Sequence, residues 1–190
     1  MKKIGIFLSR MQPIHNAHLW MIENALKEND EVLIIIGSAN KSNYLRNPLD
    51  ISLRTELVEE ALKEKFGESY NKKIKILQLA DWSTEQINDD TEWGRLIYYS
   101  VVGKTGVREF SYYCAEEPAK IKGWFEEEIQ SRINFRFFSR ENEFNGLSAT
   151  KVRTAILEDN LEFIKEYCPS IIVKRKDELK EIIKSAKTLE

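Results

Sequence analysis

Side chains that commonly bind transition metals are scarce in this 190-residue chain, which has two histidines and two cysteines. Cys114 and Cys168 lack metal-ligand spacing and are too few for a disulfide framework, which excludes zinc ribbons and small stapled secreted folds. A reducing compartment, the cytoplasm, is the expected home. Basic residues barely balance acidic ones, and a net charge of −2 excludes a broad nucleic-acid footprint. Long apolar runs are missing too. The opening hydrophobic stretch is interrupted by Ser9 and Arg10, too early for a signal sequence or a membrane span. Internal repeats and low-complexity tracts are absent.

Several phosphate-binding and nucleophile signatures are likewise missing. No G-x-G-x-x-G occurs, so the dinucleotide fingerprint of a dehydrogenase is excluded. Gly37 to Ser42 ends in Lys-Ser like a P-loop, but Asn40 stands where the glycine before the lysine belongs; Gly103-Lys104-Thr105 has Tyr98 at the required glycine position. No G-x-S-x-G elbow supports a Ser-His-Asp site. No acidic cluster is suited to hold a metal permanently.

What remains is a globular composition, 42% hydrophobic and 32% charged, in a chain long enough for one domain over 1–190. Residues 157–190 read as a C-terminal helical segment. Apolar runs at 4–8 and 31–36 read as buried strands, and residues 73–79, 109–114 and 134–139 as three more. Helical spacing occupies 19–28, 52–65, 92–102, 119–129, 148–158, 161–167 and 176–186, while 82–90 reads as a polar loop. Strand and helix alternate throughout. The fold class is therefore α/β: an open parallel sheet of about five strands with helices on both faces. Ligands of such sheets bind beyond the carboxyl ends of the strands, so the loops after Leu8, Ile36, Leu79 and Cys114 are the places to search.

Both histidines fall at the first of these ends, in Ser9-Arg10-Met11-Gln12-Pro13-Ile14-His15-Asn16-Ala17-His18. Residues three apart share a helix face, so the two imidazoles can address one ligand. A helix start adds unpaired N–H groups and positive dipole, which favour phosphate. A second segment has the same character: Asn145-Gly146-Leu147-Ser148-Ala149-Thr150-Lys151-Val152-Arg153 places a serine N-cap, a threonine hydroxyl and two cations on one helix start. Taken alone, each is also compatible with a capped surface helix.

Together the two segments resemble the nucleotidyltransferase superfamily that pairs an H-x-G-H motif after the first strand with a late S-x-T-x-x-R motif. The closer similarity is to the archaeal-type nicotinamide-nucleotide adenylyltransferases, whose G-R-[FM]-Q-P-x-H-x-G-H opening is met by residues 9–18. Gly37-Ser38-Ala39, Asn47-Pro48, Arg54, Leu79-Ala80-Asp81 and Trp93 match further family positions, and the likeness runs from about residue 4 to about residue 175. It implies a Rossmann-like sheet of the HUP type. It also implies transfer of AMP from ATP to nicotinamide or nicotinate mononucleotide, in NAD biosynthesis, with magnesium arriving on the ATP. The implied partners are these small molecules, with no nucleic acid or membrane, and a homo-oligomer is left open.

Carried over residue by residue, the resemblance implies catalytic roles for His15, His18, Arg10 and Arg153. ATP contacts fall to Ser9, Met11, Gln12, Ser148, Ala149 and Thr150, and acceptor contacts to Ser38, Arg46, Asp81 and Trp93; no residue is assigned to a metal. Trp82 shares the Asp81 loop, and Trp20 and Trp124 read as core. The runs 126–128 and 174–176 read as solvated faces. Three departures stand out: Ser9 and Ala17 replace family glycines, and Ala115-Glu116-Glu117-Pro118 replaces a glycine-containing loop near the acceptor. Rival readings are a cytidylyltransferase, a phosphopantetheine adenylyltransferase and a nucleotide-binding regulator without turnover. A class I aminoacyl-tRNA synthetase fragment shares the histidine signature, but the chain lacks a K-M-S-K-S loop.

Overall fold

The computed structural model describes residues 2–81 and 90–187. Five strands, β1 (Ile4–Ser9), β2 (Glu31–Ile36), β3 (Ile74–Gln78), β4 (Phe110–Cys114) and β5 (Ile133–Phe137), form one parallel sheet in the order β3-β2-β1-β4-β5. The open α/β reading of the sequence is what the structure shows.

β2 is apolar at nearly every position because both of its faces are covered. Val32, Ile34 and Ile36 face one layer with Phe7 and Tyr113; Leu33 and Ile35 face the other with Ile4, Ile6 and Tyr112. The first layer holds α1 (Asn16–Glu28) and α2 (Ile51–Phe66). The second holds α3 (Asp90–Thr105), α4 (Pro118–Gly123) and α5 (Glu127–Gln130). Further along, α6 (Arg140–Phe144) and α7 (Ala149–Leu157) join the first layer, followed by α8 (Leu161–Tyr167), α9 (Ser170–Lys174) and α10 (Lys176–Ser185). Ile164, Ile172, Leu179 and Ile183 carry these last three helices into the same core as α1 and α2. Each such side chain contributes roughly 1.5–3 kcal/mol by burial.

The strand order reverses direction at β1, between β2 and β4, and a crevice opens there at the carboxyl ends. That places the β1 loop at the centre of the molecule's ligand-binding edge.

Three expectations need correction. Residues 119–129 form two short helices, not one, and Trp124 lies in the break. A Cβ at Gly94 would lie 1.8 Å from the Trp124 carbonyl oxygen, so α3 is packed directly against the backbone at that break. Trp124 itself is half-buried against the second layer rather than core, and Trp20, read in the same way, is likewise half-buried against the first. The 174–176 run is not simply solvated: Arg175 pairs with Glu56 and Glu178, and Lys176 with Asp159. The short helices α6 and α9 went unread because five residues are too few to display a period. Trp82 and the rest of 82–89 lie outside the described residues.

Candidate active site

β1 ends at Ser9, and the chain turns sharply, with Met11 at a φ of +53° and a cis Gln12–Pro13 peptide. The Gln12 amide is committed to the backbone of Leu49: it donates to the Leu49 carbonyl and accepts from its N–H, each at 2.9 Å. Met11 and Gln12 are 1% and 2% exposed, so they shape a wall instead of presenting their side chains.

Arg54, fully buried in the first turn of α2, fastens the β1 and β2 loops together. Its guanidinium donates to the carbonyls of Arg10 and Gly37 at 2.8 Å and of Ser38 at 2.9 Å. Burial pushes its pKa down to about 10, against the attraction of Asp50 and Asp81, and it remains charged at neutral pH. The sequence reading placed Arg54 in a motif without a role; its role here is to tie loops.

His15 is the N-cap of α1, in extended backbone. The rings of His15 and His18 stack, centroids 3.7 Å apart and planes at 19°. The His15 N–H donates to Nδ1 of His18 at 3.3 Å, so the His18 proton sits on Nε2, 3.0 Å from Ser9 Oγ. Burial, then the Arg140 charge, drives His15 down to about 3. Burial, His15 and Arg140 push His18 well below its ordinary value. Both imidazoles are therefore neutral at physiological pH. Among the described residues, Nδ1 of His15 is buried without a hydrogen-bond partner.

The late segment meets this turn. Ser148 caps α7, its Oγ accepting from the Lys151 N–H, and one turn on Arg153 Nη1 donates to the Gln12 carbonyl at 2.8 Å. Nη2 of Arg153 reaches Thr150 Oγ1 at 3.3 Å. Burial and the nearby Arg10 cation push the Arg153 pKa down. Arg10 and Arg153 thus bring two guanidiniums to one cleft, where each can make a charge-assisted hydrogen bond to an anion.

These groups line a cavity of about 680 Å³, within the size range of small-molecule sites. It brings together the whole sequence-derived set: Ser9, Arg10, Met11, Gln12, His15, His18, Ser38, Arg46, Asp81, Trp93, Ser148, Ala149, Thr150 and Arg153. Some have other duties as well. Asp81 Oδ1 accepts from the Ser38 N–H at 3.1 Å and Oδ2 pairs with Lys41, so Asp81 holds the β2 loop. The loop carrying Arg46 is clasped from outside by Lys187, whose N–H donates to the Asn43 carbonyl at 2.8 Å.

The sequence reading missed Arg140, Lys41, Lys120 and Trp124, all on the cavity wall. Arg140 is ion-paired with Glu116 at 2.7 Å, so the departure at 115–118 supplies a carboxylate to the cavity. The signal that finds Arg140 is topological. It follows β5, whose carboxyl end opens on the same crevice but was not among the loops searched. Cys114 also lines the wall, where burial pushes its thiol up to about 12 and leaves it unreactive at neutral pH. Among the described residues no cluster of three or more His, Cys, Asp or Glu could hold a metal ion, and no helix is long and apolar enough to cross a membrane.

The family model described as cytidylyltransferase-like matches residues 6–155, from the third residue of β1 to within α7. The chain belongs to the cytidylyltransferase-like family. Among curated members, it is similar to a nicotinamide-nucleotide adenylyltransferase of Thermococcus kodakarensis, 37% identical over 97 residues, 51% of this chain and 48% of that protein. It is also similar to a phosphopantetheine adenylyltransferase of Francisella tularensis subsp. mediasiatica, 26% identical over 172 residues, 90% of this chain and 93% of that one. The chain spans about half the length of the first of these relatives. Among solved structures, it resembles the Plasmodium falciparum nicotinic acid mononucleotide adenylyltransferase complexed with NaAD. The TM-score is 0.63 at 14% identity, covering 96% of this chain and 98% of that one. At that identity the likeness is one of fold. In this cytidylyltransferase-like chain, both family motifs thus lie on one cavity.

Proposed function

We propose that the chain transfers the adenylyl group of ATP to nicotinamide or nicotinate mononucleotide, releasing pyrophosphate and forming the dinucleotide of NAD biosynthesis. The observation that carries this reading is the bond from Arg153 to the Gln12 carbonyl, which seats the late motif against the histidine turn. The identities with nicotinamide-nucleotide adenylyltransferases support it.

In this reading an oxygen of the acceptor phosphate attacks the α-phosphorus of ATP in line, and the bond to the bridging oxygen of pyrophosphate breaks. No protein nucleophile takes part, so the protein's work is alignment and charge stabilisation. His15 and His18 face the α-phosphate as neutral groups. Arg10 and Arg153, with the Ser148 and Thr150 hydroxyls, hold the departing β- and γ-phosphates. Arg46 receives the acceptor phosphate, and Trp93 offers its ring to the acceptor base. The cavity's cations and the lack of a metal cluster among the described residues fit a magnesium ion held by ATP itself. Bound that way, magnesium would supply charge neutralisation on the triphosphate.

The similarity to phosphopantetheine adenylyltransferase over 93% of that relative favours one second reading, adenylyl transfer to a phosphopantetheine acceptor. Following pyrophosphate with ATP or CTP against each mononucleotide and phosphopantetheine separates them. Release with ATP and a nicotinamide or nicotinate mononucleotide is expected. Release only with phosphopantetheine would replace the acceptor, and none with any pair would refute adenylyl transfer.

A further inference from the structure

Ser9 occupies a position that the family motif gives to glycine, and its hydroxyl meets His18 on the wall of the cavity. It lines the cavity at the carboxyl end of β1, and its Oγ lies 3.0 Å from His18 Nε2. His18 has one proton to give, because its Nδ1 already accepts from the His15 N–H. The only donor of that imidazole is thus directed at Ser9. The same Oγ is 3.5 Å from the Met11 N–H. With both lone pairs facing donors, the hydroxyl's own proton is left to point elsewhere, and the open side of Ser9 is the cavity.

We propose that Ser9 is a catalytic residue of the adenylyl transfer read above, donating its hydroxyl proton as a hydrogen bond to a non-bridging oxygen of the α-phosphate while accepting one from His18 Nε2. The chain His15 N–H to His18, His18 to Ser9, Ser9 to phosphate is a one-directional row of donors. Each bond polarises the next. No proton changes owner; the row strengthens as negative charge grows on the phosphate oxygens. A glycine at this position would leave His18 Nε2–H to make that contact directly, whereas the serine interposes its own hydroxyl as the donor.

Ser9→Ala removes the terminal donor, and Ser9→Thr keeps it. The expected result is a fall in kcat of about tenfold or more in Ser9→Ala, the loss of one charge-assisted contact. KM for ATP and the melting temperature should hold, and Ser9→Thr should keep most of the rate. A Ser9→Ala rate within twofold of the parent chain would overturn the assignment, as would an equal loss in Ser9→Thr. A second readout does not need turnover: the His18 Nε2 resonance of 15N-histidine-labelled protein with ATP bound. It should shift between the parent chain and Ser9→Ala if Ser9 remains the acceptor of that N–H. Identical ATP-bound resonances would mean that phosphate displaces the hydroxyl, and would overturn the proposal. A parent chain that binds ATP but releases no pyrophosphate with any acceptor refutes the transferase reading while the resonance still decides the role of Ser9.

Discussion

Arg153 donates to the backbone carbonyl of Gln12 at 2.8 Å, joining residues 141 positions apart in the chain. One guanidinium thus locks the histidine turn to α7 while its other nitrogen meets Thr150. A lysine has a point charge on a flexible stem and cannot hold both contacts in a fixed plane. Arg153→Lys is expected to lose roughly 1.5–3 kcal/mol of transition-state stabilisation, about ten- to over a hundredfold in kcat/KM for ATP. Steady-state kinetics with varied ATP measure this, and a loss under threefold would contradict the assignment.

His18→Ala should abolish detectable pyrophosphate release while the fold stays intact. The variant also strips the acceptor from the His15 N–H, a cost of about 1 kcal/mol. A melting temperature lower by about 2–4 °C is therefore expected, with an unchanged far-ultraviolet circular dichroism spectrum. Full activity would remove His18 from the site.

Arg54→Ala should be among the most destabilising single changes. It strands the carbonyls of Arg10 and Gly37, while that of Ser38 keeps the Lys41 N–H at 3.0 Å and loses only its charge-assisted bond. A buried unpaired polar group costs about 1–3 kcal/mol, so a loss of at least about 2 kcal/mol is expected in urea unfolding. A change below about 1 kcal/mol would show that the two loops hold themselves.

The buried histidines set an acid limit on stability. His15 has an ordinary value of 6.5 and is held at about 3 in the folded chain, so between those values the unfolded chain binds the extra proton. The corresponding stability is fully present above pH 6.5 and is lost as the pH falls from there towards 3. For His15 alone the drop from pH 7 to pH 5 is about 2 kcal/mol. Urea unfolding at the two pH values measures it, and His15→Asn should flatten the difference.

Chelation should separate substrate chemistry from folding. EDTA is expected to stop turnover with ATP yet leave the melting temperature of the ATP-free chain unchanged, because no metal cluster exists among the described residues. A fall of several degrees in the ATP-free chain would point to a resident ion.

The legible part of the active site is the part whose chemistry is local. A helix start announces itself through its cap and first turn, so Ser148, Thr150, Arg153 and the His15–His18 pair can be read from neighbours a few residues away. The same is true of β2, whose unbroken apolar run states that both faces are covered. Arg140 carried no such local mark. Its effect on the histidines arises from through-space charge across the crevice, and its pairing with Glu116 joins loops after two different strands. Trp124 read as core because a tryptophan on an apolar helix pattern usually is; the helix instead stops at Gly123, where α3 packs against the chain at Gly94, and the ring lies on the cavity wall.

By itself the amino-acid order determined the alternation of strands and helices, and it placed two phosphate-suited helix starts near the chain's opening and in its last third. Hydrophobic period and capping chemistry act over one or two turns, a range that a linear reading captures. Only the tertiary structure decided that the two starts share one cavity, that Arg54 is a tie between loops, and that Ser9 faces His18. Those outcomes depend on strand order and on hydrogen bonds between residues far apart in the chain, and such bonds exist only once the sheet has been assembled.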